Sequence, residues 1–280
     1  MPEYKLIALD LDGTLLDPDK NLTRENYAAL EKAANDGLLI VPTTGRFYPA
    51  MPESIRSLPF VRYVIAVNGA RVTDTKTGEV LYQAEIPADE AVEIMTYLDT
   101  LPVIYDCFMN DAAYMSRCMW DRIPDFAPDK HYYKMLRELR QPVDDLKAFL
   151  REGRFSIQKT QFFFRDMDLR RRLLRELPDR FPRHTVTSSV VNNIEITHKN
   201  ANKGRALAAL AERLGLGLEQ TLAFGDDLND VPMLETAGLG FAMANAGPEA
   251  KAAADRITLS NAENGVAAAL QAVLWDGKER

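Results

Sequence analysis

The chain has 280 residues, 46% of them hydrophobic and 27% charged, with a formal net charge of −7 at pH 7. The length suits about two domains, and the apolar share is ordinary for a globular protein with a real core. The negative balance disfavours non-specific nucleic-acid binding, and no apolar run approaches the ~18 residues that would span a bilayer.

The N-terminal stretch MPEYKLIALDLDG has no signal-peptide h-region, because its first apolar run ends in carboxylates. Cys107 and Cys118 form no CxxC pair, and no histidine sits at metal-site spacing from either, so both are expected reduced and packed. The expectation is a cytoplasmic protein, monomer or small homo-oligomer, with no membrane or nucleic-acid partner.

In chain order, residues 4–10 (YKLIALD) read as a central strand. A helix follows from Thr23, a good N-cap, to a stop at Gly37, with Tyr27, Leu30 and Ala34 at helical spacing. Residues 38–45 (LLIVPTTG) are a second strand, residues near 46–57 a short helix, and 62–69 (RYVIAVNG) a third strand. Apolar strands alternating with helices predict a parallel sheet covered on both faces.

The middle of the chain changes character. Residues 70–86 read as a hairpin turned at Lys76-Thr77-Gly78, and ADEAVEIMTYLDTL as a helix. PVIYDCFMN and AAYMSRC pair around Asn110-Asp111, and helices follow near 129–140 and 143–152. RFSIQKTQFFF is a strand, MDLRRRLLREL a helix with a solvated basic face, and RHTVTSS and VVNNIEIT two more strands. Hairpins mixed with helices predict an α+β unit with an antiparallel sheet. Trp120, Phe126, Tyr132 and Tyr133 are read as that unit's own core in preference to a pocket lining.

From Asn202 the first pattern returns. NKGRALAALAERLG is a helix, QTLAFGDD a buried strand ending in carboxylates, and DVPMLETAG a helix closed by Gly238. GLGFAM and RITLS are further strands, and GVAAALQAVLW a closing helix. The fold class expected is α/β: a Rossmann-like parallel-sheet core, residues 1–85 and 196–280, interrupted by an inserted α+β domain, residues 86–195.

Two core strands end in acid: Asp10 and Asp12 after the first, and Asp226, Asp227 and Asp230 after LAF. In open parallel sheets the ligand crevice lies at the carboxyl ends of the strands. So many carboxylates need a cation, and all-oxygen ligands without His or Cys favour Mg²⁺. Asp10 and Asp12, two apart on a strand, face one site, one as metal ligand and nucleophile and the other as acid/base. Thr43-Thr44-Gly45-Arg46 offers hydroxyl and N–H donors to an anion, and Lys203 a point charge to a phosphoryl group. Together these make a phosphoryl-transfer site. Asp227 reads as structural, Asp17, Asp19 and Asp36 as surface acids, and His131, His184 and His198 as without chemistry.

Asp10-Leu11-Asp12-Gly13-Thr14 matches the DxDGT signature of the haloacid dehalogenase superfamily of phosphatases. Thr44-Gly45-Arg46 resembles its second motif, Lys203 in NKG its third, and Gly225-Asp226-Asp227-Leu228-Asn229-Asp230 its fourth. The insert, with VNGA (67–70) and IEIT…NKG, resembles the large α/β cap of the Cof-type hydrolases. A single DxD would be weak, whereas four ordered motifs at strand ends and helix starts are specific.

The resemblance implies roles. Asp10 would form an aspartyl-phosphate, and Asp12 would protonate the leaving oxygen and then activate water. Mg²⁺ would be held by the Asp10 side chain, the Asp12 carbonyl and Asp226, with Asp230 nearby. The phosphate would be held by the Leu11 backbone, Thr44, Gly45, Lys203 and Asn229. Thr43 stands where the family often has alanine or serine, and spacing to Gly45 selects Thr44. The expected activity is Mg²⁺-dependent hydrolysis of a small phosphorylated metabolite, a sugar or cofactor phosphate, with the insert setting substrate choice. The rivals are a phosphotransferase or sugar phosphomutase, and a non-catalytic Mg²⁺/phosphate-binding regulator, against which Asp12 argues.

Overall fold

The computed structural model describes residues 4–127 and 129–276, without the His131 side chain. The ends of the expected domains at residues 1–3 and 277–280, and the expectation for His131, fall outside what is described.

The strands, in chain order, are β1 (Leu6–Leu9), β2 (Leu39–Pro42), β3 (Tyr63–Ala66), β4 (Arg71–Asp74) and β5 (Val80–Gln83). Then come β6 (Ile104–Met109), β7 (Ala112–Ser116), β8 (Arg140–Val143), β9 (Lys159–Phe163), β10 (His184–Thr187) and β11 (Asn193–His198). The last are β12 (Thr221–Gly225), β13 (Leu239–Ala242) and β14 (Arg256–Ile257). The chain divides into two compact units: one built from the residues up to Gln83 and from Ala201 onward, the other from Ala84–Asn200.

The first unit holds a parallel five-stranded sheet in the order β14-β13-β12-β1-β2. The β1 strand is central, paired in parallel with β12 on one side and β2 on the other. All four of its residues are fully buried, as its unbroken apolar run requires of a strand covered on both faces. Beyond β2 lies β3, bridged in parallel at Ile40–Val61 and Thr43–Ile65, and it continues antiparallel into β4 and β5. Helix Arg24–Asn35 starts where Thr23 accepts from the Asn26 N–H, and the chain leaves it through Gly37 at φ 90°. The β1–β2 register aligns Leu9 with Pro42, so Asp10 and Thr43 emerge side by side.

The second unit is a six-stranded sheet in the order β10-β11-β9-β6-β7-β8. It is antiparallel except for β7 beside β8. One face buries Tyr105, Cys107, Phe162 and Ile196 against helices Ala88–Leu98, Leu146–Gly153 and Met167–Arg180. The other carries the buried ion pairs Asp106–Arg140 and Lys159–Glu195. Trp120, Tyr132 and Tyr133 pack on Ile104, Met115, Phe126 and Phe163, which makes this aromatic group a core. Both cysteines are free, but only Cys107 is buried; Cys118, expected to be packed, is exposed in a single-turn helix, Arg117–Trp120. None of the described helices is long and apolar enough to cross a membrane.

Candidate active site

Every residue singled out for chemistry lies in the first unit. Asp10 leaves β1 with only 6% of its surface exposed. Its Oδ1 accepts from Lys203 Nζ at 2.6 Å, and the same ammonium donates to Asp230 Oδ1 at 2.6 Å. Lys203 opens helix Lys203–Arg213, capped by Asn202, and is completely buried. Burial works against its charge, but Asp10 and Asp230 outweigh that and hold the ammonium protonated beyond the ordinary lysine range.

Burial pushes Asp10 up to about 7 against the pull of Lys203, and Asp230 and Asp226 push it the same way. Burial also pushes Asp226 up to about 6, although Thr14 Oγ1 donates to its Oδ1 at 2.7 Å. Asp10, Asp226 and Asp230 each bring a carboxylate oxygen within 4.8 Å of the others. One lysine facing three acids leaves negative charge in excess, and the all-oxygen donor set suits a hard divalent cation. Asp230 has little left to give it, since its Oδ2 accepts the N–H groups of Asp226 and Asp227 at 2.9 and 3.0 Å. That leaves Asp10 and Asp226 as the side chains best placed to hold the ion. Gly13 is required here: at φ 89°, a Cβ would come within 2.2 Å of Asp226 Oδ2.

Asp12 is held differently. Arg46 grips it in a fork, Nε to Oδ2 at 2.9 Å and Nη2 to Oδ1 at 2.8 Å, and Lys20 Nζ lies 3.0 Å from Oδ1. Partial burial favours the protonated form, but the bonds and charges of Arg46 and Lys20 prevail and keep Asp12 below the usual carboxylate range. Nothing in the sequence marks either cation as a partner of Asp12. Arg46 stands in the second motif, but its link to Asp12 spans 34 residues and has no local signature.

Of the two threonines after β2, Thr43 donates its hydroxyl to Val41 O at 3.1 Å. Thr44 Oγ1 accepts from the Arg46 N–H at 3.1 Å and, among the described residues, its proton is uncommitted. Leu11 is fully buried directly after Asp10, and its carbonyl accepts from the Leu16 N–H at 2.9 Å. Asn229 Nδ2 donates to Asn68 Oδ1 at 2.9 Å, and Asn68 also lies over Gly45. Asp227 caps the turn at Leu228–Asp230 through the Leu228 N–H. In the other unit, His184 is buried with Nε2 3.2 Å from Glu90, away from this constellation in the chain.

The sequence model of a family described as haloacid dehalogenase-like hydrolase matches residues 7–270. The phosphatase YwpJ of Bacillus subtilis (strain 168) is 31% identical over 291 residues, covering 94% of this chain and 97% of its own. The 5-amino-6-(5-phospho-D-ribitylamino)uracil phosphatase YcsE of the same organism is 29% identical over 274 residues, covering 96% and 95%. The crystal structure of TM0651 from Thermotoga maritima matches with a TM-score of 0.82 at 27% identity, covering 98% of each chain.

Proposed function

The chain belongs to the haloacid dehalogenase-like hydrolases and is a phosphatase, and from that premise we propose that it hydrolyses small phosphomonoesters, with Mg²⁺, through a phosphoryl group carried on Asp10. The observation that supports this most directly is Lys203 Nζ, buried and shared at 2.6 Å between Asp10 and Asp230, with Asp226 beside them. One Asp10 oxygen is anchored by the lysine, which leaves the other to attack phosphorus. Lys203 offsets charge on the transferring group in a buried setting, where a fixed cation counts for more than in water.

The bond from Asp10 to phosphorus forms as the ester P–O bond breaks. An aryl leaving group departs as the phenolate, whereas an alkoxide leaving group needs a proton that Asp12 first takes from solvent, against the pull of Arg46 and Lys20, and then passes on. Water then attacks phosphorus and yields its proton to Asp12, which frees Asp10 and inorganic phosphate. The Arg46–Lys20 fork holds Asp12 as the carboxylate, the form needed for the second step. The Leu11 N–H, Thr44, Gly45, Lys203 and Asn229 are assigned to the phosphoryl oxygens. Asp10, the Asp12 carbonyl and Asp226 would hold Mg²⁺, which when bound neutralises the carboxylate cluster and polarises the phosphoryl group.

The substrates proposed are sugar or cofactor phosphates. The name of YcsE, with its phosphorylated ribityl chain, supports this class. The test is Asp10→Asn assayed on p-nitrophenyl phosphate with Mg²⁺. The expected result is no phosphate release from a variant with native circular dichroism, and no release by the unaltered protein in excess chelator. Turnover near normal in either case overturns the mechanism.

A further inference from the structure

The turn between β3 and β4 is built on three successive residues of positive φ: Val67 at 50°, Asn68 at 54° and Gly69 at 88°. For a β-branched valine this is a true outlier, and such backbone persists only where its surroundings over-determine it. Here they do. The Val67 N–H donates to Arg46 O and the Asn68 N–H to Thr44 O, each at 3.0 Å, so the turn is laced to the Thr44–Arg46 loop. Gly69 lies against the start of the Lys203 helix, where a Cβ would sit 2.2 Å from Asn202 O. The Asn68 side chain is thereby fixed between two segments assigned to phosphate: its Oδ1 lies 2.8 Å from where a Cβ on Gly45 would be, and it accepts from Asn229 Nδ2 at 2.9 Å.

A hydrogen bond between a half-buried amide, Asn68, and an exposed one, Asn229, adds little to stability in return for a left-handed turn. It does orient an amide. With one Asn229 N–H committed to Asn68, the other is directed away from Asn68, and a flipped amide would lose this bond. We propose that Asn68 is a positioning residue of the phosphoryl site, acting through Asn229: it aims the free Asn229 N–H at the bound anion and keeps Gly45 beside it. This rests on the phosphatase reading and on the assignment of Asn229 and Gly45 to phosphate.

The test compares the unaltered protein, Asn68→Gly, Asn229→Ala and the double variant. Glycine takes φ 54° without strain, so the substitution removes the amide and spares the turn. The readouts are kcat and KM for p-nitrophenyl phosphate, and Ki for inorganic phosphate. Losing one oriented donor to an anion should raise KM and Ki about tenfold in Asn68→Gly, with kcat within about threefold. The double variant should be no worse than Asn229→Ala, because the two residues act as one unit. An unchanged Ki in Asn68→Gly, an unchanged Ki in Asn229→Ala, or losses that multiply in the double variant would overturn the proposal. Absence of Mg²⁺-dependent turnover in the unaltered protein is a different failure and removes the phosphatase reading itself.

Discussion

Asp10 and Asp226 resist ionisation because burial strips them of water and Lys203 is shared with Asp230. Their carboxyls stand at about 7 and about 6, above the ordinary 3.8, so between those limits the folded protein binds more protons than the unfolded chain. Their contribution to stability is therefore complete below about pH 3.8, declines as pH rises from there, and is gone above about 7. A divalent cation needs both groups ionised and takes the place of those protons. Mg²⁺ should then bind more tightly at pH 7.5 than at pH 5.5, by on the order of 10–100-fold, and raise Tm correspondingly more. Equal Mg²⁺-induced shifts of Tm at the two pH values would mean that these carboxylates are not its ligands. Such acids were legible in the sequence because each ends an apolar strand, where a carboxylate has no structural reason to be. The partners that orient the site were not: Arg46 meets Asp12 across 34 residues and Asn68 meets Asn229 across 161, and those meetings exist only after folding.

Elements with a local cause were readable in the same way. Thr23 caps its helix, Gly78 turns the β4–β5 hairpin at φ 76°, and Asn110-Asp111 turns β6 into β7 with φ of 49° and 58°. One-turn helices such as Arg117–Trp120 and Ile123–Phe126 are too short to show a period, and β8 contains Pro142. Helix Met167–Arg180 runs past Pro178, a last-turn position where one missing N–H does not end it. The end of helix Leu146–Gly153 is less settled. Its cap, Arg154, is exposed and stands at φ 52° and ψ 37°, a left-handed conformation that costs a side-chain-bearing residue about 1 kcal/mol. Arg154→Gly should therefore stabilise the protein by about 0.5–1 kcal/mol, seen as a rise of about 1–4 °C in Tm. A fall in Tm would mean that the Arg154 side chain makes a contact worth more than the strain.

At the scale of the whole molecule, the interruption of an α/β pattern by hairpins was visible in the sequence as a change of period, but its limits were not. A cut after residue 195 would fall inside β11, whose six residues all belong to the Ala84–Asn200 unit. The groups assigned to the phosphoryl transfer, from Asp10 to Asp230, lie wholly in the other unit. They address atoms that every phosphomonoester shares, so they cannot tell one leaving group from another. Discrimination requires contacts with the leaving group, and the 84–200 unit, with a sheet and core of its own, is the large element free of any role in the transfer. Exchanging residues 84–200 for the matching unit of a relative should reorder a panel of sugar and cofactor phosphates by kcat/KM while the Mg²⁺ requirement persists. Differences of about 1–3 kcal/mol between substrates, or ~10–200-fold, are what one or two altered apolar contacts supply. A folded chimaera that kept the original ranking would locate specificity in the unit that carries Asp10 and end this division of labour.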